Sequence, residues 1–325
     1  MLTLHRCCKT FKVGAFGGTD LPAVRDVSFD VHTGEVVSLI GESGSGKTTI
    51  GKMILRLSPI TSGTITFDGL DIATVRKRHQ LKAYYRNVQG VFQDPFSSYN
   101  PIFKADRVFT TIKDEYFPGL SRSEWAGKVE ASLDDVALNP SHVLHKYPHQ
   151  LSGGQLQRLL IARALLLDIK FLVADEIISM LDASTRIDVL NLLGELKARG
   201  LGILFITHDL SLANYISERA VILYRGRVVE RGATEKVFGN PVHPYTRMLL
   251  ASVPQLQRRW EEVEQELEAP DPEEFEGRVS ENGEGAPLVE VEDDHFVAVP
   301  SVDELVRTGQ AVAAPDGRAP APPRP

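Results

Sequence analysis

Gly41-Glu42-Ser43-Gly44-Ser45-Gly46-Lys47-Thr48 matches G-x-x-x-x-G-K-[ST], a spacing that specifies one kind of strand–loop–helix unit. The apolar run Val36 to Ile40 stands before it, and the helix-compatible stretch Thr49 to Leu55 follows. Strand, loop and helix in that order are what a phosphate-binding loop requires. Glycines let the backbone curl so that successive N–H groups converge on phosphate oxygens, and the following helix adds the positive end of its dipole. In such a loop Lys47 reaches the β- and γ-phosphates, and the Thr48 hydroxyl is placed to ligate magnesium. Ser43, Gly44, Ser45, Gly46 and Thr49 complete the cradle. The loop predicts a nucleoside triphosphate and leaves open what its hydrolysis serves.

Two further segments add chemistry. Leu151-Ser152-Gly153-Gly154-Gln155 precedes an amphipathic pattern running from Leu156 to Leu165. Ser152, Gly153 and Gly154 therefore put hydroxyl and N–H donors at a helix start, a second surface suited to anions. Phe171-Leu172-Val173-Ala174 reads as a short buried strand. It delivers Asp175 and Glu176 at its C-terminal end, where ligands sit in open α/β sheets. One carboxylate would hold magnesium through water, and the other would poise the attacking water. Gly202 to Thr207 reads as another strand, ending at His208-Asp209. His208 is either a structural histidine or a contact to the γ-phosphate.

In combination and in order, these motifs resemble the ATP-binding subunit of an ABC transporter, over about residues 1 to 255. The resemblance implies an α/β fold: a P-loop NTPase core with a mixed sheet, an N-terminal antiparallel β part and an inserted helical subdomain. It implies ATP and Mg2+ as ligands. Leu151 to Gln155 matches the signature sequence, so that Ser152, Gly153, Gly154 and Gln155 complete the partner subunit's nucleotide site. Asp175 matches the magnesium aspartate and Glu176 the catalytic glutamate. Gln93, in Val91-Phe92-Gln93-Asp94-Pro95, matches the glutamine that senses magnesium and couples to the membrane partner. His208 matches the switch histidine, and Ser179-Met180-Leu181-Asp182 the loop that crosses to the other subunit. Phe11 is the choice for stacking on adenine, with Phe16 in reserve. The family usually has Pro-Thr after the catalytic glutamate, whereas this chain has Ile177-Ile178. Both are apolar and β-branched, so the expectation is a change of packing with hydrolysis retained. Two ATP molecules are then sandwiched between two subunits, and hydrolysis lets the faces part.

The segment Asn240 to Pro254, with Pro241-Val242-His243-Pro244-Tyr245-Thr246-Arg247 at its centre, resembles the C-terminal extension of oligopeptide and dipeptide permease ATPases. Val91 to Pro101 is also similar to that subfamily. Some of its members serve oligosaccharides or nickel, so the cargo stays open between peptides and those solutes. Other members hold a cysteine-ligated iron–sulfur cluster in the tail. Here the only cysteines are the adjacent Cys7 and Cys8, so no iron–sulfur cluster is expected. Pro287 to Val299 nevertheless alternates like a strand.

The chain has 325 residues and one phosphate loop, so it reads as a single ATPase half that needs another. Residues 1–93 and 151–240 read as the nucleotide-binding core, and 94–150 as the helical subdomain facing a membrane protein. Residues 241–260 are the permease-type extension, and 261–325 an acidic, Pro/Ala-rich tail that is expected to be largely disordered. The tail holds 18 acids against 4 bases, although the whole chain carries only −7. Such a tail solubilises its protein or shields a positive core. The longest apolar stretch, Leu159 to Ala174, is interrupted by Arg163, Asp168 and Lys170, which are costly in a membrane span. No signal peptide is read. The expected location is the cytoplasmic face of the cell membrane, held there by partner subunits. The partners implied are a second, related ATPase subunit, two transmembrane permease subunits and, indirectly, an extracytoplasmic solute-binding protein, with no nucleic acid. Two rival classes remain: a soluble, non-transport ABC ATPase, and a nucleotide-binding module without hydrolysis. No second ATPase half, heptad run or cysteine cluster of the kind carried by the soluble relatives interrupts the sequence.

Overall fold

The computed structural model describes residues 1–14, 18–252 and 287–298. Phe16 and the tail residues 261–286 and 299–325 lie outside these. Along the chain run β1 (Leu2–Val13), β2 (Thr19–Val31), β3 (Val36–Ile40), α1 (Lys47–Ile54), β4 (Ser62–Phe67) and β5 (Leu70–Asp71). Next come α2 (Arg78–Asn87), β6 (Val88–Val91), α3 (Arg107–Tyr116), α4 (Arg122–Asp134), α5 (Pro140–Val143), α6 (Gly153–Leu165) and β7 (Phe171–Asp175). After these follow α7 (Ala183–Ala198), β8 (Gly202–Thr207), α8 (Leu210–Ile216), β9 (Arg219–Tyr224) and β10 (Arg227–Ala233). The described chain closes with α9 (Thr234–Gly239), α10 (Pro244–Ala251), β11 (Leu288–Glu292) and β12 (His295–Ala298). It divides into two compact units, one built mainly from residues 70–205 and the other from 2–30, 36–69 and the residues from 206 onward.

The second of these units holds the phosphate loop. β1 pairs antiparallel with β4, with Leu4 opposite Ile65, and β2 lies beside β1. The pairing shifts register between His5 and Cys8, where Arg6 takes a φ of 48°. That bulge keeps Leu2, Leu4 and Cys7 all on the buried side. β3 is buried along its whole length and runs parallel to β9, with Ile40 opposite Ile222. β10 returns antiparallel to β9, so this sheet is mixed. Ile40, Ala213, Ile222, Val237 and Tyr245 form its core.

The alternating stretch after residue 287 proves to be a hairpin, where the sequence suggested one strand. Asp294, left-handed at φ 51°, turns the chain, a conformation that aspartate tolerates better than most residues. β12 then pairs antiparallel with β10, Glu230 facing Val297 and Gly232 facing His295. This part of the acidic tail is therefore ordered in the sheet.

In the other unit β6 runs parallel to β7, Val91 opposite Ala174. β7 is buried throughout, as a central parallel strand must be. Helix α6 turns Leu156, Leu159, Leu160 and Ala164 inward. Arg163 joins helix and strand by donating to the Gly90 carbonyl at 3.1 Å. The helices of the 94–150 stretch are closed by Ala105 N–H donating to Lys146 O at 2.8 Å and by a His145–Asp106 pair at 2.8 Å.

Candidate functional site

The phosphate loop leaves β3 at Gly41 and enters α1 at Lys47. Gly46 caps that helix with φ 108°, and a Cβ there would lie 2.5 Å from the Ala23 carbonyl, so only glycine fits. Lys47 is 4 % exposed, and its Nζ donates to the carbonyls of Gly41 at 2.6 Å and Glu42 at 2.8 Å. Ser45 N–H donates to Glu42 O, and Gly226 N–H to Ser45 O at 2.9 Å, which ties the loop to the turn between β9 and β10. Thr48 is exposed and Thr49 half-buried at the start of α1. A cationic amine on a glycine-rich turn at a helix start is a donor set that fits a triphosphate.

Also in this unit, Phe11 is half-exposed at 38 %, with Lys9 Nζ 4.8 Å from its ring centroid. His208 is exposed directly after β8 and before α8, whose N-cap Asp209 accepts from Ser211 and Leu212 N–H groups.

In the other unit Ser152 caps α6. Its hydroxyl accepts from Gln155 N–H at 3.2 Å, while Gln155 Oε1 accepts from Ser152 N–H at 2.9 Å. The two reciprocal bonds fix the first turn and leave Gly153 and Gly154 as bare backbone. A Cβ on Gly154 would come within 2.8 Å of Thr185 Cγ2. Thr185 cannot easily yield, since its N–H and its hydroxyl both donate to the Asp182 carboxylate, at 3.0 and 2.8 Å. Ser184 adds a third bond, and together these donors hold the Asp182 carboxyl well below the usual range. The sequence pointed to Asp182 and missed Thr185, although Asp-x-x-Thr is a legible cap spacing. A cavity of about 330 Å3 beside this helix start is lined by Ser152, Gly154, Gln155, Arg158, His142 and Thr185, among others.

Asp175 ends β7 and is 3 % exposed. Glu176 follows at φ 50°, a left-handed conformation that costs energy outside glycine and recurs at functional sites. Ser179 N–H and hydroxyl both donate to the Glu176 carbonyl, at 3.2 and 2.9 Å, and Arg186 donates to Leu181 O at 2.8 Å. Ile177 and Ile178 are buried, at 1 % and 3 % exposure, in agreement with a substitution that acts on packing. Gln93 is exposed two residues after β6. This unit thus holds Gln93, Ser152 to Gln155, Asp175, Glu176 and Asp182, while the phosphate loop, Phe11 and His208 belong to the other.

Residues 24–179 match the model of the ABC transporter family, and residues 229–278 that of the oligopeptide/dipeptide transporter C-terminal region. The oligopeptide transport ATP-binding protein OppF of Bacillus subtilis is 42% identical over 233 residues, covering 71% of this chain and 76% of the relative. A putative peptide import ATP-binding protein of Brucella ovis is 44% identical over 241 residues, 72% of this chain and 73% of its own length. The oligopeptide transport ATP-binding protein AmiF of Streptococcus pneumoniae is 44% identical over 239 residues, 73% and 77%. Among solved structures, the ATP-binding cassette MJ0796, captured as a post-hydrolysis dimer with ADP and Pi, superposes with a TM-score of 0.65. It is 29% identical over 72% of this chain and 99% of its own.

Proposed function

The chain belongs to the ABC transporter family of ATP-binding cassettes, and from that premise we propose that it is the ATP-hydrolysing subunit of a peptide importer. The observation that carries the reading is the pairing of a lysine-bearing phosphate loop with a second donor-rich helix start. Lys47 sits on the loop carbonyls, and Ser152 and Gln155 lock the turn around Gly153 and Gly154. A chain with both surfaces can hold one triphosphate with the first and close a second subunit's triphosphate with the other. ATP then favours the closed pair only through its tighter binding there. The C-terminal match and the names of the relatives support peptides as cargo.

In this reading Gly41 to Thr49 cradle the phosphates and Phe11 faces the adenine. Glu176 orients the attacking water, and His208 contacts the γ-phosphate. Thr48, Gln93 and Asp175 are oxygen donors of the kind magnesium takes, and would hold it. That ion would supply charge neutralisation between the β- and γ-phosphates. Residues 94–150 form the face for the permease subunits, Asp182 lies on the loop toward the second ATPase, and that subunit is a related chain rather than a copy. No helix among the described residues is long and apolar enough to cross a membrane.

The test is to purify tagged Glu176→Gln protein with ATP from detergent-solubilised native membranes and to identify what accompanies it. Two multi-span proteins and a second ATPase support the reading. Ribosomes, nucleic acid or nothing membranous overturn it.

A further inference from the structure

Residue 245 belongs to the C-terminal extension, yet its side chain reaches the phosphate loop. Tyr245 is fully buried in the first turn of α10, and its hydroxyl accepts from Glu42 N–H at 3.0 Å. That N–H shares its peptide group with the Gly41 carbonyl, and the next peptide group carries the Glu42 carbonyl; both accept from Lys47 Nζ. The Tyr245 ring also packs on Tyr224, centroids 4.4 Å apart. Tyr224 opens the turn whose Gly226 N–H donates to Ser45 O. One side chain therefore touches two supports of the loop, one by hydrogen bond and one by packing.

Tyr245 is itself held from behind. Its N–H donates to His243 Nδ1 at 3.1 Å, the N-cap bond of α10. The N–H groups of Val242 and His243 donate to the buried Glu230 carboxylate, at 2.9 and 3.0 Å. Glu230 also meets His295 Nε2 of the hairpin at 2.7 Å. Burial pushes the Tyr245 phenol up to about 12, so the group stays a neutral hydroxyl across the working range.

We infer that Tyr245 is a positioning residue for nucleotide binding, by which the C-terminal extension braces the phosphate loop in its binding-competent shape. This rests on the reading of that loop as the ATP site. The acceptor on Glu42 N–H restrains the Gly41–Glu42 peptide plane, so the Gly41 carbonyl in that plane keeps its direction toward Lys47, with the Glu42 carbonyl one peptide further on. A phenylalanine would preserve the packing on Tyr224 and remove only the acceptor. The loop then samples other orientations, and binding is reduced by the fraction that is no longer competent.

The test compares three proteins in the membrane complex for ATP affinity, steady-state hydrolysis and melting temperature. Tyr245→Phe should weaken ATP binding and raise KM roughly five- to tenfold, with kcat at saturating ATP near the wild-type value. Thr246→Val is the control, because Thr246 is fully buried beside Tyr245 and its hydroxyl has no hydrogen-bond partner among the described residues. It should leave KM unchanged. Tyr245→Phe with wild-type KM overturns the inference, and so does a KM shift of equal size in Thr246→Val. Failure of the wild-type complex to bind ATP would instead overturn the assignment of the loop itself.

Discussion

Glu230→Gln should release the C-terminal hairpin while leaving the rest of the sheet folded. Glu230 is fully buried, and its two oxygens serve three donors: Val242 N–H and His295 Nε2 at Oε1, and His243 N–H at Oε2. Glutamine keeps the shape but offers one oxygen and one NH2. With its oxygen toward Val242 and His295, the NH2 faces the His243 N–H, donor against donor. The opposite flip loses the other two bonds. The cost combines a hydrogen bond to a charged acceptor, about 1.5–3 kcal/mol, with a buried N–H left unsatisfied, about 1–3 kcal/mol. The unsatisfied N–H belongs to His243 and weighs on the extension, whereas the charge-assisted bond to His295 ties the hairpin; losing about 1.5–3 kcal/mol there corresponds to a hairpin that opens about 10- to 150-fold more often. Hydrogen exchange of the peptide spanning residues 287–298 reads this directly, with β3 and β9 as the internal reference. Exchange within twofold of wild type would mean that Glu230 does not hold the hairpin. The same network predicts a pH dependence. The groups facing the His295 ring are Glu230 from β10 and Glu292 from β11, at 2.7 and 3.1 Å, one on each ring nitrogen. Burial pushes the imidazole pKa down, but hydrogen bonds and charge from both carboxylates raise it further, to a net value above the ordinary 6.5. A raised folded value means that the stabilisation is whole below about pH 6.5 and is lost as pH rises through the folded pKa. Hairpin protection should therefore fall as pH rises, and His295→Gln should flatten the profile.

Gly154→Ala should destabilise by about 1–3 kcal/mol, because the new methyl meets Thr185 Cγ2 at 2.8 Å. Adding Thr185→Ser removes that methyl, keeps the hydroxyl for Asp182 and should restore most of the denaturation midpoint; no restoration would place the strain elsewhere. Ser152→Ala removes the cap of α6 and should cost about 1 kcal/mol, a few degrees in melting temperature. An unchanged melt would mean that the capping box is not formed in solution.

The features legible in the sequence were those set by local spacing. The loop from Gly41 to Thr48, the helix start at Ser152 and the Asp175–Glu176 strand end each follow from residues within a few positions of one another, and the structure places each on its expected element. The left-handed Glu176 left no such signal, since its strain is imposed by the turn that Ser179 closes on it. Contacts between distant segments were not legible either. Nothing in Asn240 to Pro254 shows that Tyr245 meets Glu42, 203 positions earlier, or that His295 meets Glu230, 65 positions earlier. Alternation from Leu288 onward gave the strand character, but its partner β10 is a matter of tertiary pairing.

Hydrolysis at Glu176 is measured as phosphate release by the membrane complex carrying wild-type protein or Glu176→Gln. The wild-type complex should hydrolyse ATP, and the variant should lose 10²-fold or more of that rate, roughly what a positioned general base supplies, while still binding ATP. Equal rates in the two complexes, or loss of nucleotide binding together with hydrolysis, would contradict Glu176 as the residue that orients the attacking water.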